Sequence, residues 1–205
     1  EKPIMKDFPK ILTDEKINER NADFRNALFS LDKKLINENN AIHLIRIYTN
    51  TKHIELRNRI LKLLYDFDFP RLDEFFNLAY KKERYLDMKL YALRGLSQFI
   101  SEKDINKILQ KFNLTLEKRQ KSTPYNYQEY ELLKGKNALP FLVGKYGYRC
   151  FIETLEKVNN QYEQMPEAFK GHFTTDENGE IVNLRSAEKS KKMMADFFNK
   201  ARNIK

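Results

Sequence analysis

The fold of this chain is decided by the stretch from His53 to Ile100, which reads HIELRNRILKLLYDFDFPRLDEFFNLAYKKERYLDMKLYALRGLSQFI. Apolar residues recur in it every three or four positions, the spacing that keeps one face of an α-helix apolar. Pro70 and the polar run from Lys81 to Arg84 interrupt this pattern. The stretch therefore predicts two amphipathic helices of the same kind, separated by a third.

An internal repeat with a step of 32 residues extends beyond this stretch. Segments 24–31, 56–63 and 88–96 align with one another at that step, and so do the helical segments between them. The aligned positions in the intervening segments are Leu44, Phe76 and Ile108, and then Tyr48, Tyr80 and Phe112. Because a single helix pair cannot bury its own apolar face, we expect successive pairs to stack and share a core.

The second helix of each unit carries an apolar residue, then a basic residue, then paired aliphatics. These are Glu55-Leu56-Arg57 with Ile60-Leu61 and Leu64, and Asp87-Met88-Lys89 with Ala92-Leu93 and Leu96. The pattern resembles the second helix of a HEAT repeat over about half of the chain, although HEAT units usually span roughly 40 residues. The resemblance implies an all-α fold, an α-α superhelix or HEAT-like solenoid of stacked helix pairs that binds partners.

The length and composition are those of an ordinary folded protein. With 205 residues, 41% of them apolar, the chain can bury a substantial core. No run approaches the ~20 apolar residues that cross a bilayer, so we expect no transmembrane segment. The single cysteine favours a reducing compartment, and we expect the cytoplasm, with a signal peptide removed before Glu1 as the alternative.

We expect one helical-repeat domain over residues 1–205. Its expected sections are regular repeats at 13–119, a degenerate repeat at 126–165, a loop or hairpin at 166–186 and a C-terminal helix at 187–202. The first helix is expected from Thr13 or Asp14 through Ile36, and a loop from Lys118 to Tyr130. Near residues 172–183, Asn178-Gly179 suits a tight turn and predicts a small β-hairpin, with an irregular loop as the alternative.

No arrangement typical of a catalytic site is present in the sequence. His43, His53 and His172 are the only histidines, and none has a second His or Cys at metal-ligand spacing. Cys150 stands alone, and such a residue is more often a small buried hydrophobe than a nucleophile. A DNA glycosylase built on HEAT-like repeats would hold a base between aromatic walls, often including Trp, which this chain lacks. We therefore predict no enzyme, no metal and no cofactor.

The net charge of +9 is concentrated near the end of the chain. Residues 183–205 hold seven Lys or Arg against two acids, which leaves +4 for the other 182 residues. We expect the C-terminal helix to cap the last repeat, with binding to an anionic membrane surface as its alternative role. A second basic stretch is expected to pack as a loop, with nucleic-acid binding or an interface rim as alternatives. It contains Lys118, Arg119, Lys121, Tyr125, Tyr127 and Tyr130.

The expected function is non-enzymatic protein binding by the concave face of the solenoid. If the aliphatic residues of segment 56–64 face the core, Arg59 and Lys62 point away from it. The 32-residue step then places Tyr91 and Arg94 at the same positions of the next unit. These four candidate partner-binding residues are expected to lie side by side on an exposed face that suits an acidic partner.

Two other functions stay open at this point. The same surface suits a HEAT-like protein that binds nucleic acid, and the chain also suits a helical accessory domain of a larger enzyme. The abundance of Asn, Lys and Ile is typical of AT-rich genomes, which are most often bacterial. Bacterial helical-repeat proteins of this size resemble adaptors or the immunity partners of secreted toxins. The sequence does not indicate an oligomeric state.

Overall fold

The structure is a computed structural model that describes residues 7–122 and 132–203, except residues 169, 171, 172 and 179. This described part is mostly helical and contains one small antiparallel hairpin, so the predicted all-α fold and the hairpin are confirmed. The helices are α1 Ala22–Ser30, α2 Glu38–Asn50, α3 Ile54–Leu64, α4 Leu72–Lys82, α5 Leu86–Leu96, α6 Glu102–Ser122, α7 Leu139–Tyr146, α8 Arg149–Glu163 and α9 Ala187–Arg202. The strands are β1 Phe173–Thr175 and β2 Ile181–Asn183.

The 32-residue step governs where helices begin and end. Helices α1, α3 and α5 begin at Ala22, Ile54 and Leu86, each 32 residues after the one before. Helices α2 and α4 end at Asn50 and Lys82, again 32 residues apart. The sequence period is therefore also a period of secondary structure, whereas the stacking of these pairs into a solenoid stays a prediction.

The chain divides into two compact units. The first comprises Glu1–Glu83 with Tyr91–Phe99, and the second comprises Arg84–Leu90 with Ile100–Lys205. Helix α5 therefore gives its first residues to the second unit and the rest to the first. This division does not test the expected repeat sections, which therefore stay a prediction.

In the first unit, α3 packs against both α1 and α2. Some positions one step apart share the same environment, since Leu28, Ile60 and Ala92 are all fully buried. Leu61 and Leu93 form a second equivalent pair, and both are 0% exposed. Burial of each such aliphatic side chain stabilises the fold by about 1.5–3 kcal/mol. The periodic apolar stripe therefore supplies much of this core.

One position in α5 carries glycine where the equivalent positions carry leucine, and the packing around it explains the difference. Leu31 and Leu63 are equivalent one step apart, but the next position in the series is Gly95. A methyl group placed on Gly95 would overlap the ring of Phe76, which is fully buried on α4. Glycine in a helix interior costs about 1 kcal/mol relative to alanine. This cost is tolerated because the phenyl ring fills the space where a side chain would otherwise lie.

A buried polar network joins α2, α3 and the end of α4. The Glu83 side chain is 1% exposed and accepts hydrogen bonds from Tyr48 Oη at 2.5 Å and from Arg57 Nε at 2.9 Å. Burial, followed by this hydrogen bond to Glu83, raises the pKa of Tyr48 far above its usual range. Tyr48 therefore stays a neutral donor, and Arg57 supplies the charge that offsets the carboxylate.

Two predicted helix ends in the first unit are wrong. Residues 13–20 form turns rather than the start of a helix, because the Asn21 side chain accepts a hydrogen bond from Phe24 N at 3.0 Å and starts α1 there. The first helix also ends at Ser30 rather than Ile36. Asn37 is the N-cap of α2, since Asn37 and Asn40 exchange hydrogen bonds in a capping box.

In the second unit, α6 and α7 both pack against α8. Helix α6 continues to Ser122, so the predicted loop from Lys118 is wrong for its first five residues, and residues 123–131 lie outside the described part. Helix α7 has Pro140 in its first turn and ends at Tyr146, followed by Gly147 with φ +64°.

The hairpin pairs Thr174 with Val182 across its two strands. One carboxylate holds its turn, because Asp176 Oδ1 accepts from the backbone N of Asn178 at 2.9 Å and of Glu180 at 2.8 Å. The Asn-Gly signal therefore located the hairpin, while the aspartate before it supplies these bonds.

The core register is tested by truncating equivalent leucines. Leu61→Ala and Leu93→Ala should each lower the free energy of unfolding by about 2–5 kcal/mol, because both side chains are fully buried. Phe29→Ala is the matched control, since Phe29 holds the equivalent position one step earlier and is 45% exposed. Urea unfolding that gives the same loss for all three variants would contradict this register.

The polar network is tested by a change that keeps shape and removes charge. Glu83→Gln leaves Arg57 without its carboxylate in a buried site, and we expect a loss of about 2–4 kcal/mol. Glu74→Gln, at an exposed position on the same helix, should stay within about 0.5 kcal/mol. Equal melting temperatures for these two variants would show that the network does not stabilise the fold.

Candidate interaction site

The structure brings the predicted partner-binding residues Lys62, Tyr91 and Arg94 into one cluster in the first unit, and Arg59 interacts electrostatically with Tyr65 of the same cluster. Lys62 Nζ lies 5.2 Å from the centre of the Tyr91 ring, and the Arg94 guanidinium lies 3.7 Å from the centre of the Tyr65 ring. The Tyr65 and Tyr91 rings meet edge to face, with centres 5.8 Å apart. We call this group the cation–tyrosine cluster; its members are Lys33, Arg59, Lys62, Tyr65, Asp66, Tyr91 and Arg94.

The predicted exposure of this face is wrong for α5. Tyr91 is 1% exposed and Arg94 is 6% exposed, whereas Arg59 and Lys62 on α3 are half-buried. The physical reason is that α5 is covered on every side, since each residue from Leu90 to Ser97 is buried. The argument from helical periodicity assumes one apolar face and one solvated face. It therefore does not apply to a helix that is buried on all sides.

Asp66, directly after α3, is the anion of the cluster. Its Oδ1 accepts from Arg94 Nε at 2.9 Å and from Arg94 Nη2 at 2.6 Å. Its Oδ2 accepts from Lys33 Nζ at 3.0 Å, and that ammonium also lies 4.4 Å from the centre of the Tyr65 ring. One carboxylate is therefore shared by two cations that come from distant parts of the sequence.

Arg59 binds backbone rather than a carboxylate. It donates to the carbonyl oxygens of Leu28 at 3.4 Å and Leu31 at 2.8 Å, at the end of α1, where carbonyl groups lack partners within the helix. The negative end of the helix dipole lies there and favours a cation. Burial lowers the pKa of Arg59, yet an arginine remains charged at neutral pH.

The cluster carries an excess of positive charge. Lys33, Arg59, Lys62 and Arg94 contribute four formal charges, against one on Asp66. Within the part of the chain that the structure describes, neither Arg59 nor Lys62 forms an ion pair with a carboxylate. Half-buried cations attract anions more strongly than fully solvated ones because the surrounding dielectric constant is lower. The arrangement can therefore receive an acidic group.

Sequence reasoning missed three members of the cluster. Lys33 lies in a short 3-10 turn, and Tyr65 and Asp66 follow the last turn of α3. The available signal was position, because Tyr65 and Asp66 leave the helix on the side from which Arg59 and Lys62 project.

Other predicted candidates do not form a site. Cys150 is buried, and burial raises the pKa of its thiol, which disfavours a nucleophilic thiolate. The tyrosines at 125, 127 and 130, like His172, lie outside the described residues. Among the residues that are described, no group of three or more His, Cys, Asp or Glu could hold a metal ion. None of the helices described is both long enough and apolar enough to cross a membrane.

Two shallow depressions beside α2 and α4 in the first unit are further surfaces of interest. Ile42, which is 56% exposed, lines the first together with Arg71, whose left-handed φ of 70° is uncommon for a residue other than glycine. Leu78, which is 50% exposed, lines the second. Both are lined by acidic as well as basic residues, so neither carries a charge preference comparable with that of the cluster.

The burial of Arg94 leads to a stability prediction. Arg94→Glu would place two carboxylates together at a buried position, and we expect a loss of about 2–4 kcal/mol in the free energy of unfolding. Lys62→Glu makes the same charge change at a half-buried side chain and should cost less than about 1 kcal/mol. Thermal unfolding that ranks the two variants equally would contradict the burial of Arg94.

Comparison with known proteins gives no relative for this chain: no family model matches it, and no curated protein or solved structure matches it.

Proposed function

We propose that this chain is a non-enzymatic protein-binding module whose cation–tyrosine cluster engages an acidic segment of a partner protein. The observation that carries the proposal is the excess of half-buried positive charge around a single carboxylate. Arg59 and Lys62 are held in place by carbonyl oxygens and an aromatic ring, neither of which neutralises their charge. Carboxylates of a partner supply the missing counter-charge.

The cations of the cluster are already ordered before any partner binds. Arg94 is fixed by two hydrogen bonds to Asp66, and Arg59 by two carbonyl groups. Lys62 lies against the ring of Tyr91, which restricts its flexible side chain. Ordering a long side chain on binding costs about 0.5–1.5 kcal/mol, and this cost is largely avoided here. Preorganisation therefore supports a binding role for these residues.

Two features favour an acidic protein segment over nucleic acid as the ligand. Tyr65 and Tyr91 are 6% and 1% exposed, so their rings are not accessible for stacking with bases. The cations form a compact group rather than the long basic stripe that follows a phosphate backbone.

The proposal also draws on the expected architecture. A solenoid of HEAT-like pairs would present an extended surface to a partner, and such surfaces are typical of adaptor proteins. The helix starts at Ala22, Ile54 and Leu86, each 32 residues after the one before, are compatible with this arrangement. Binding rather than catalysis is proposed because the cluster contains no serine, cysteine or histidine, the residues that most often act as nucleophile or general base.

The proposal is tested with a fluorescein-labelled peptide in which Glu and Asp alternate with Leu. Lys33→Glu/Lys62→Glu should weaken binding about tenfold or more, because two attractive charges become repulsive. The control Lys10→Glu/Lys16→Glu makes the same charge change at exposed positions outside the cluster and should retain binding. Asp66→Asn should strengthen binding about threefold, because it removes the repulsive carboxylate.

Fluorescence anisotropy at several salt concentrations separates the possible outcomes. Equal weakening in the cluster variant and in the control would place the site elsewhere. Tighter binding of a labelled single-stranded oligonucleotide, with an affinity that falls steeply as salt rises, would favour nucleic-acid binding over the proposed function. Circular dichroism of each variant shows whether the fold is retained.

A further inference from the structure

Helix α9 has a continuous apolar arc along one side. The helix is 16 residues long and begins at Ser186, whose hydroxyl accepts a hydrogen bond from Lys189 N at 3.2 Å. Five apolar residues fall within an arc of about 140° when successive residues are rotated by about 100°. They are Met193, Met194, Phe197, Phe198 and Ala201. This width is that of a helix with one buried face.

The second half of this arc is exposed. Phe197 and Phe198 are 38% and 43% exposed, although aromatic side chains of this size are usually covered. Ser190 lies in the same arc near the start of the helix and is only 4% exposed. The first turns of α9 are therefore covered by the chain, while the last turns present two aromatic rings. The expectation that α9 covers the last repeat with its apolar face is wrong for both phenylalanines.

The charges of α9 are arranged around the apolar arc. Lys189 and Lys200 border the arc on one side, and Lys191 and Arg202 border it on the other, at the rotation of about 100° per residue. The two acids of the helix lie outside this border, with Asp196 about 20° beyond Lys189 and Glu188 about 40° beyond Arg202, while Lys192 lies opposite the arc. With five cations and two carboxylates, the helix carries a net charge of +3.

We propose that α9 binds the surface of an anionic lipid bilayer, a role beyond the proposed protein-binding function. Phe197 and Phe198 enter the boundary between headgroups and acyl chains, and the four bordering cations extend to lipid phosphates. Long basic side chains at the edge of an apolar face are suited to this, because their stems stay in apolar surroundings while their charges reach the headgroups. The helix lies in the plane of the membrane and does not cross it.

Charge complementarity selects this ligand over two others. A second copy of α9 would bring two helices of net charge +3 together, and like charges oppose that association. Nucleic acid would neutralise the cations but would leave two exposed phenylalanines in water, because a phosphate backbone offers them no apolar contact. An anionic bilayer satisfies both the charges and the aromatic rings.

The test uses the full chain and co-sedimentation with vesicles of phosphatidylcholine, with or without phosphatidylglycerol, at physiological salt. The unmodified chain should sediment with the vesicles that contain phosphatidylglycerol and not with phosphatidylcholine alone. Phe197→Ser/Phe198→Ser should reduce the bound fraction at least tenfold. The matched control Phe29→Ser/Ile42→Ser removes two exposed apolar side chains of the first unit and should bind as before.

Two adjacent lysines test the arrangement of charges. Lys191 borders the arc and Lys192 lies opposite it, so Lys191→Gln should weaken vesicle binding about fivefold. Lys192→Gln should weaken it less, although both changes remove one charge from neighbouring positions. Equal effects of the two changes would overturn the proposed orientation of the helix.

Insertion is measured with a tryptophan, since the chain contains none. Phe198→Trp should shift its emission to shorter wavelength with phosphatidylglycerol vesicles, and Phe29→Trp should not. The proposal is overturned by an unshifted emission of Phe198→Trp, by absent sedimentation of the unmodified chain, or by unchanged sedimentation after the double serine change. A dimer in light scattering that the double serine change dissociates would show that a second copy covers the arc, and this would also overturn it.

Discussion

The carboxylate of Glu83 is a constraint on which the first unit depends, because a buried charge must be satisfied from fixed directions. Tyr48 on α2 and Arg57 on α3 both donate to it, and Glu83 itself caps the end of α4. Rotation of any of these three helices about its axis would leave a buried polar group unpaired, which costs several kcal/mol. Thr51, one step earlier, is also buried and polar, with its hydroxyl accepting a hydrogen bond from the backbone N of His53. The residue that directly follows the first helix of a pair is therefore buried and polar in both cases, Thr51 after α2 and Glu83 after α4.

Much of the fold could be predicted from the sequence because it depends on local patterns. The 32-residue step and the positions of α3 and α5 follow from apolar spacing alone, and the Asn-Gly pair located the hairpin. The errors arose where one residue type has two roles. Asn37 can end one helix or begin the next, and the choice depends on its exchange of hydrogen bonds with Asn40, which apolar spacing does not report.

The candidate site was predicted in part, and the reason lies in the surroundings of α5. The sequence step grouped Arg59 and Lys62 with Tyr91 and Arg94, and the structure places Lys62 beside the Tyr91 ring. It did not reveal that α5 is covered on all sides, since burial depends on segments distant in sequence. Lys33 joins the cluster from such a segment, and no local pattern marks it. A single sequence therefore locates the cations better than it predicts their exposure.

The close approach of Gly95 and Phe76 has a consequence for how such a chain can change. The 32-residue units share a plan, yet the unit that contains Phe76 on α4 also needs glycine on α5, whereas the preceding unit has leucine at both equivalent positions. An averaged sequence for the units would combine a phenylalanine with a leucine in a space that holds only one of them. Duplication or exchange of single units would therefore require paired substitutions, and each unit has become specific to its own place in the chain.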